Sequence, residues 1–289
     1  MSGHYPFLGE HESGARPRMK KDLSTAEKAK PYAKYFYQPI VAAPKEIIET
    51  LDQGPIDPSL AISIQQRDDL LKPGYLPAEI GYCLMPDKSG YVAMLIKMPN
   101  VTADMVEWWF AWFGLESLRY KIWDPEAHYA TRVVDEDLEH RLNPSLSNLE
   151  RRWGTTIVVN EDIGAGAADL RISFLSPDDF GHDRNLLKKY PNATVNNINL
   201  AINEPRRPMA TASHLYREIP GGLELRARFW LGWNIIGKKP VRVVDHVPLE
   251  MAKGLTYHCA REYTNLAALL PKVYAENHKI ADKIEDFRR

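Results

Sequence analysis

From Gly154 to Ile236 the chain reads as one strand after another, and after Pro248 it becomes a single long helical run. The segments TTIVVNEDIG, ADLRISFLSP, TVNNINLAINE, TASHLYREIPGG and GLELRARFWLGWNII alternate or are rich in β-branched and aromatic residues. In ELRARFWLGW, Leu225, Ala227, Phe229 and Leu231 share one face, and Arg226, Arg228 and Trp230 share the other. The final run carries Leu249, Ala252, Leu255, Cys259, Tyr263, Leu266 and Leu270 as an apolar stripe. Pro248 suits its first turn, and Pro271 is expected to kink or interrupt it late. Antiparallel strands followed by a long helix predict an α+β fold, in which a curved sheet around one helix leaves a cavity between them.

The earlier chain predicts fewer elements. A short helix is expected over Pro44–Asp52, and strands over Ile80–Met85 and Tyr91–Met98 about a Pro86–Gly90 turn. A helix over residues 102–113 has Thr102 as its cap and Met105, Trp108, Trp109 and Trp112 at helical spacing. Ser117–Trp123 reads as extended, and a second helix runs near Glu136–Leu142, limited by Pro144. Residues 1–30 are polar and without period, so they read as loosely ordered. A change of character near residue 75 separates a small N-terminal region (1–75) from a main domain (76–289). The proline- and tyrosine-rich stretch from Pro31 to Tyr75 offers a surface for a second subunit, and so a homodimer.

Charge excludes some partners. With 37 basic and 38 acidic side chains there is no excess for nucleic acid or an anionic membrane. No window is apolar for long enough to cross a bilayer, and the start has no signal-peptide core, so a cytoplasmic home is expected. Two cysteines, Cys83 and Cys259, are too few for a disulfide framework or a cysteine-rich zinc site. The aromatic residues cluster. Trp108, Trp109, Trp112, Tyr120 and Trp123 form one group, Trp230 and Trp233 another, and they suit either a heavy core or a pocket for a flat ligand.

The chemistry starts on the last helix. His258 and Glu262 stand at i and i+4, one turn apart on one face, so an imidazole and a carboxylate can reach one cation. The same spacing also makes an ordinary ion pair. Leu255, Cys259 and Leu266 flank the pair, so a carboxylate there needs a partner, which is a metal, Arg261 or a tyrosine. His128 follows a WDP turn and Glu161 ends an apolar strand; both are donor types zinc accepts, among several in the chain. His140, His182 and His278 lie in polar surroundings and read as surface residues, and His214 in its strand reads as a core histidine.

The block WWFAWFGLESLRYKIWDPEAHY, with NEDIG, SHLYREIPGG and LTYHCAREYTNL, resembles the 2,4-diacetylphloroglucinol hydrolase and phloretin hydrolase family over roughly residues 75–270. The resemblance implies a zinc-dependent hydrolase that cleaves the carbon–carbon bond between an acyl group and a polyhydroxylated ring. It implies a helix-grip fold of the birch-pollen-allergen kind. Carried over by motif, the zinc ligands are His128, Glu161, His258 and Glu262, while Tyr120 and His214 are the expected catalytic residues contacting an acylated polyphenol. Phe113 departs from the pattern, which has a histidine after WWFAW. Two other functions stay open: a helix-grip protein that only binds a hydrophobic small molecule, and a metal-dependent lyase or esterase acting on a related phenolic ketone. Four converging ligands distinguish a metalloenzyme from the pure binder.

Overall fold

The computed structural model describes residues 22–163, 166–190 and 192–287. Its centre is an eight-stranded antiparallel sheet. The strands are β1 (Gly81–Leu84), β2 (Gly90–Pro99), β3 (His128–Val133), β4 (Thr156–Asp162), β5 (Ala167–Leu175), β6 (Thr194–Ile202), β7 (Arg207–Ile219) and β8 (Gly222–Leu231). Their spatial order is β1-β2-β8-β7-β6-β5-β4-β3. Six consecutive strands thus form a meander, and the β1–β2 hairpin is added beside the last of them. A small second sheet pairs β9 (Trp233–Ile236) with β10 (Lys239–Arg242).

Alternation decides which face meets the long helix. Val92, Met94, Ile96 and Met98 of β2, and Leu225, Ala227, Phe229 and Leu231 of β8, enter one core with the stripe of the C-terminal helix Leu249–Asn277. That helix packs on β2 and β1. It runs unbroken through Pro271, contrary to the expected interruption. Proline gives up one N–H bond there, but Leu269, Leu270 and Val273 are buried around it and hold the turn in place.

The opposite face is also covered. Residues 56–79 cross it, with Ile62 and Ile64 packed against Tyr91, Ala93 and Trp230. Trp230 Nε1 donates to the Ile62 carbonyl at 2.9 Å. Glu79 bridges Arg226 and Arg228, at 2.6 Å from each. Those arginines therefore lie in a second core layer.

Several expectations need correction. Ser117–Lys121 is a helix, because Leu118, Arg119 and Tyr120 are all buried by neighbours the local pattern does not reveal. His182 is buried, with Nδ1 2.6 Å from Asp68 and Nε2 3.1 Å from Ser213 Oγ. It pins the outer layer to the sheet, whereas His140 is exposed and His278 half-buried. The expectation of loose order at 1–30 lies partly outside the described residues. Within them, Thr25–Lys28 forms a helical turn closed by a Ser24–Glu27 capping box. The tyrosine-rich stretch is divided: Tyr32, Tyr35 and Phe36 are buried, while Tyr37 and Tyr75 are exposed. Among the described residues, no helix is long and apolar enough to cross a membrane.

Candidate metal centre

Two elements each bring two candidate ligand side chains to one point. On the sheet, the antiparallel register places His128 of β3 directly opposite Glu161 of β4. On the long helix, His258 and Glu262 share a face. Donor atoms of His128, Glu161 and His258 all lie within 4.8 Å of one another. The Glu262 carboxylate joins them, 3.5 Å from His128 Nε2 and 3.7 Å from His258 Nε2. Glu161 reaches within 3.7 Å of His128 Nε2.

Surrounding groups fix this geometry. His128 Nδ1 lies 3.2 Å from the Tyr120 carbonyl, which assigns the ring proton to Nδ1 and turns the Nε2 lone pair toward the carboxylates. The Tyr120 ring stacks flat on His128, with centroids 3.9 Å apart. Its hydroxyl donates to Glu161. Trp123 Nε1 donates to the Glu262 carbonyl at 2.9 Å. Asp124, 0% exposed, takes two bonds from Arg261 at 2.9 and 2.6 Å. The His128 N–H donates to the Asp124 carbonyl at 2.8 Å. This ion pair therefore ties the turn before His128 to the helix that carries His258.

The electrostatics suit a cation. Burial pushes the Glu161 carboxyl up to about 7; the Tyr120 hydroxyl opposes that rise and Asp124 adds to it. Glu262 is driven well above the usual carboxylate range by burial and by the Glu161 charge. Two carboxylates without water around them are costly when ionised, and a divalent ion removes that cost. The set of two imidazoles and two carboxylates is one that zinc and several other divalent metals accept.

Glu161, His258 and Glu262 stand on the wall of a cavity between sheet and helix. It holds about 530 Å³ of empty space, its open mouth included. Phe110, Phe113, Tyr120, Trp123 and Phe229 line much of the rest. The aromatic cluster thus divides: Phe110, Phe113 and Trp123 face the cavity, while Trp108, Trp109 and Trp112 pack in the core. Phe113 stacks over Tyr120 at 5.6 Å. His214 also lines the cavity, with Nδ1 3.2 Å from the Tyr263 hydroxyl. Burial and the nearby Arg152 charge hold its imidazole down at about 3, so it is neutral at physiological pH.

Sequence reasoning missed Asp124, Asn196 and Tyr263. Asp124 had a visible signal, an acidic residue four before His128 with Arg261 three after His258. Asn196 had none, since its partner Arg152 is distant in sequence and meets it only in the fold.

A family model described as DAPG hydrolase PhiG domain matches residues 60–275. The chain is 34% identical over 270 residues to "Phloretin hydrolase" of Eubacterium ramulus, covering 90% of this chain and 95% of that one. It is 31% identical over 266 residues to "2,4-diacetylphloroglucinol hydrolase" of a Pseudomonas species, covering 87% and 90%. Among solved structures, that of Ara h 8.0201 aligns with a TM-score of 0.38 and 8% identity, over 64% of this chain and 99% of that one, a likeness too slight to carry an argument.

Proposed function

Since the chain belongs to the DAPG hydrolase family, and is a hydrolase of carbon–carbon bonds, we propose that it uses zinc to cleave acylphloroglucinol-type substrates. The products are a carboxylic acid and a phenol. The carrying observation is the convergence of His128, Glu161, His258 and Glu262 on an aromatic-walled cavity. These four residues would hold the ion.

The substrate ring explains how carbon can leave. A polyhydroxylated ring tautomerises to a ketone, so the acyl group becomes part of a β-dicarbonyl unit. Water adds to the acyl carbonyl, the aryl–acyl bond breaks, and its electron pair passes into the ring as an enolate. A proton at the former acyl-bearing carbon restores the phenol. When bound, the ion supplies Lewis-acid polarisation of the acyl carbonyl.

The chain's own side chains do the rest. Tyr120 keeps its proton, because burial and the Glu161 charge raise its phenol well above the usual value. Its hydroxyl donates to Glu161 at the cavity wall, placed to hold or pass a proton. His214 is neutral and serves as a hydrogen-bonding group at the ring, not as an imidazolium acid. The aromatic walls orient a flat ring and exclude bulk water.

Finer readings accompany this one. The sheet curved around one helix is read as a helix-grip, and residues 1–75 as a small region appended to the domain at 76–289. A homodimer and a cytoplasmic home remain part of the proposal; light scattering on the purified protein tests the first.

Elemental analysis of purified wild-type protein, His258→Ala and Glu262→Ala tests the centre. The expected result is near-stoichiometric zinc in the wild type, its loss in both folded variants, and acid release from acylphloroglucinols only by the wild type. Zinc and turnover unchanged in His258→Ala would sink the assignment.

A further inference from the structure

A second polar feature lies in the same cavity. Asn196 of β6 and His214 of β7 are directly paired across the sheet and both line the cavity wall. Glu161 stands on β4, so two and three strand spacings separate these residues from it, on the order of 10 Å or more at the backbone. Asn196 and His214 are buried, at 3% and 2% exposure.

Their hydrogen bonding leaves polar atoms available beside the cavity. Arg152 Nη1 donates to Asn196 Oδ1 at 3.2 Å, which leaves Nδ2 as the amide's cavity-side donor. His214 Nδ1 lies 3.2 Å from the Tyr263 hydroxyl, a contact in which either group can donate. The His214 Nε2 is buried with no protein partner.

Behind this wall lie two buried guanidiniums. Arg152 and Arg141 are each 1% exposed, and each has an Nε without a partner. Their guanidiniums sit over Phe110 and Phe174, both cavity-wall residues, at 5.5 and 5.2 Å. Among the described residues neither is within ion-pairing distance of a carboxylate; Glu107 and Asp137 act only from further away. Burial lowers both groups, Arg152 to about 10 and, with the Arg152 charge adding to the effect, Arg141 to about 9. Unpaired buried cations are costly, so this end of the cavity is prepared for negative charge.

We propose that Asn196 Nδ2 donates to an electron-rich ring oxygen of the substrate, the oxygen on which charge collects as the aryl–acyl bond breaks, with the unpartnered His214 Nε2 as the polar contact beside it. Arg152 is a positioning residue that holds the Asn196 amide, and with Arg141 it supports that charge from behind the aromatic wall. The assignment rests on the hydrolase reading and names the part of the substrate that this end of the cavity recognises.

The test is calorimetric binding of phloroglucinol, and of benzene-1,3-diol with one hydroxyl fewer, to the zinc-loaded protein. Wild type is expected to prefer phloroglucinol. Asn196→Asp keeps a partner for Arg152 and so protects the fold, but it replaces the donor with a like charge. It should weaken phloroglucinol at least about tenfold. Asn196→Leu should abolish the preference, and Arg152→Met should reduce it, with Arg152→Lys restoring part. In turnover, kcat should fall more than KM rises, because the charge develops only in the transition state. Wild-type affinity, preference and kcat in both Asn196 variants would overturn the subsite while leaving the hydrolase reading intact. A wild-type protein that neither binds these phenols nor hydrolyses their acyl derivatives overturns both.

Discussion

At the scale of single residues, Tyr120 and His214 give separable predictions. Tyr120 donates to Glu161 and stacks on His128, so Tyr120→Phe keeps the ring and loses only the hydroxyl. Zinc content should be retained while kcat falls by roughly 10²-fold or more, the usual effect of losing a positioned acid–base group. His214 gives a stability signature. Its folded-state value of about 3 lies below the ordinary 6.5, so the unfolded chain binds the proton first as pH falls. Its contribution is whole above pH 6.5 and is lost toward pH 3, at about 1.4 kcal/mol per pH unit. Urea denaturation at pH 7, 6 and 5 should therefore show a steeper acid loss in wild type than in His214→Leu. Parallel profiles would mean that His214 titrates normally. At this scale the sequence was partly legible. The i, i+4 pair His258 and Glu262 could be read locally, but the pairing of His128 with Glu161 depends on a strand register that no single segment encodes.

At the scale of elements, the centre depends on how the long helix meets the turn before β3. The Asp124–Arg261 pair makes that join, with Asp124 fully buried and Arg261 a quarter exposed. Arg261→Ala strands a buried carboxylate and should cost a few kcal/mol, with weaker zinc retention as the two ligand pairs drift apart. Asp124→Asn leaves only a partly solvated guanidinium unpaired and should cost less. Thermal melts of the two variants, with zinc and with chelator, give the order. The strands from 156 to 231 were legible because alternation and β-branching agree with burial on both sides of the sheet. The Ser117–Lys121 helix was not, because its buried Leu118, Arg119 and Tyr120 answer to partners elsewhere: Arg119 pairs with Asp282, and Tyr120 with Glu161. Short elements take their conformation from tertiary contacts more than from their own pattern.

The whole molecule is a sheet with a core on each face, and only one of those cores was legible. The alternation in β8 suggests a polar outer side, yet Arg226 and Arg228 are as buried as the leucines opposite. Glu79 neutralises both, and the Arg charges hold its carboxyl below the ordinary value despite burial. Glu79→Gln leaves two guanidiniums without their shared partner and should cost about 3–5 kcal/mol. A melting temperature lowered by on the order of 10 °C, with metal content normal at 25 °C, is the expected result. An unchanged melt would show that the outer layer adds little to the stability of the sheet.

The four candidate ligands are divided between the β3–β4 strand pair, which holds His128 and Glu161, and a helix that begins only at Leu249. A ribosome making this chain will have delivered the whole eight-stranded sheet before the second half of the centre leaves the exit tunnel. The nascent chain thus holds only half of the candidate site until that helix has emerged. Closure of the candidate centre would then follow the making of the sheet.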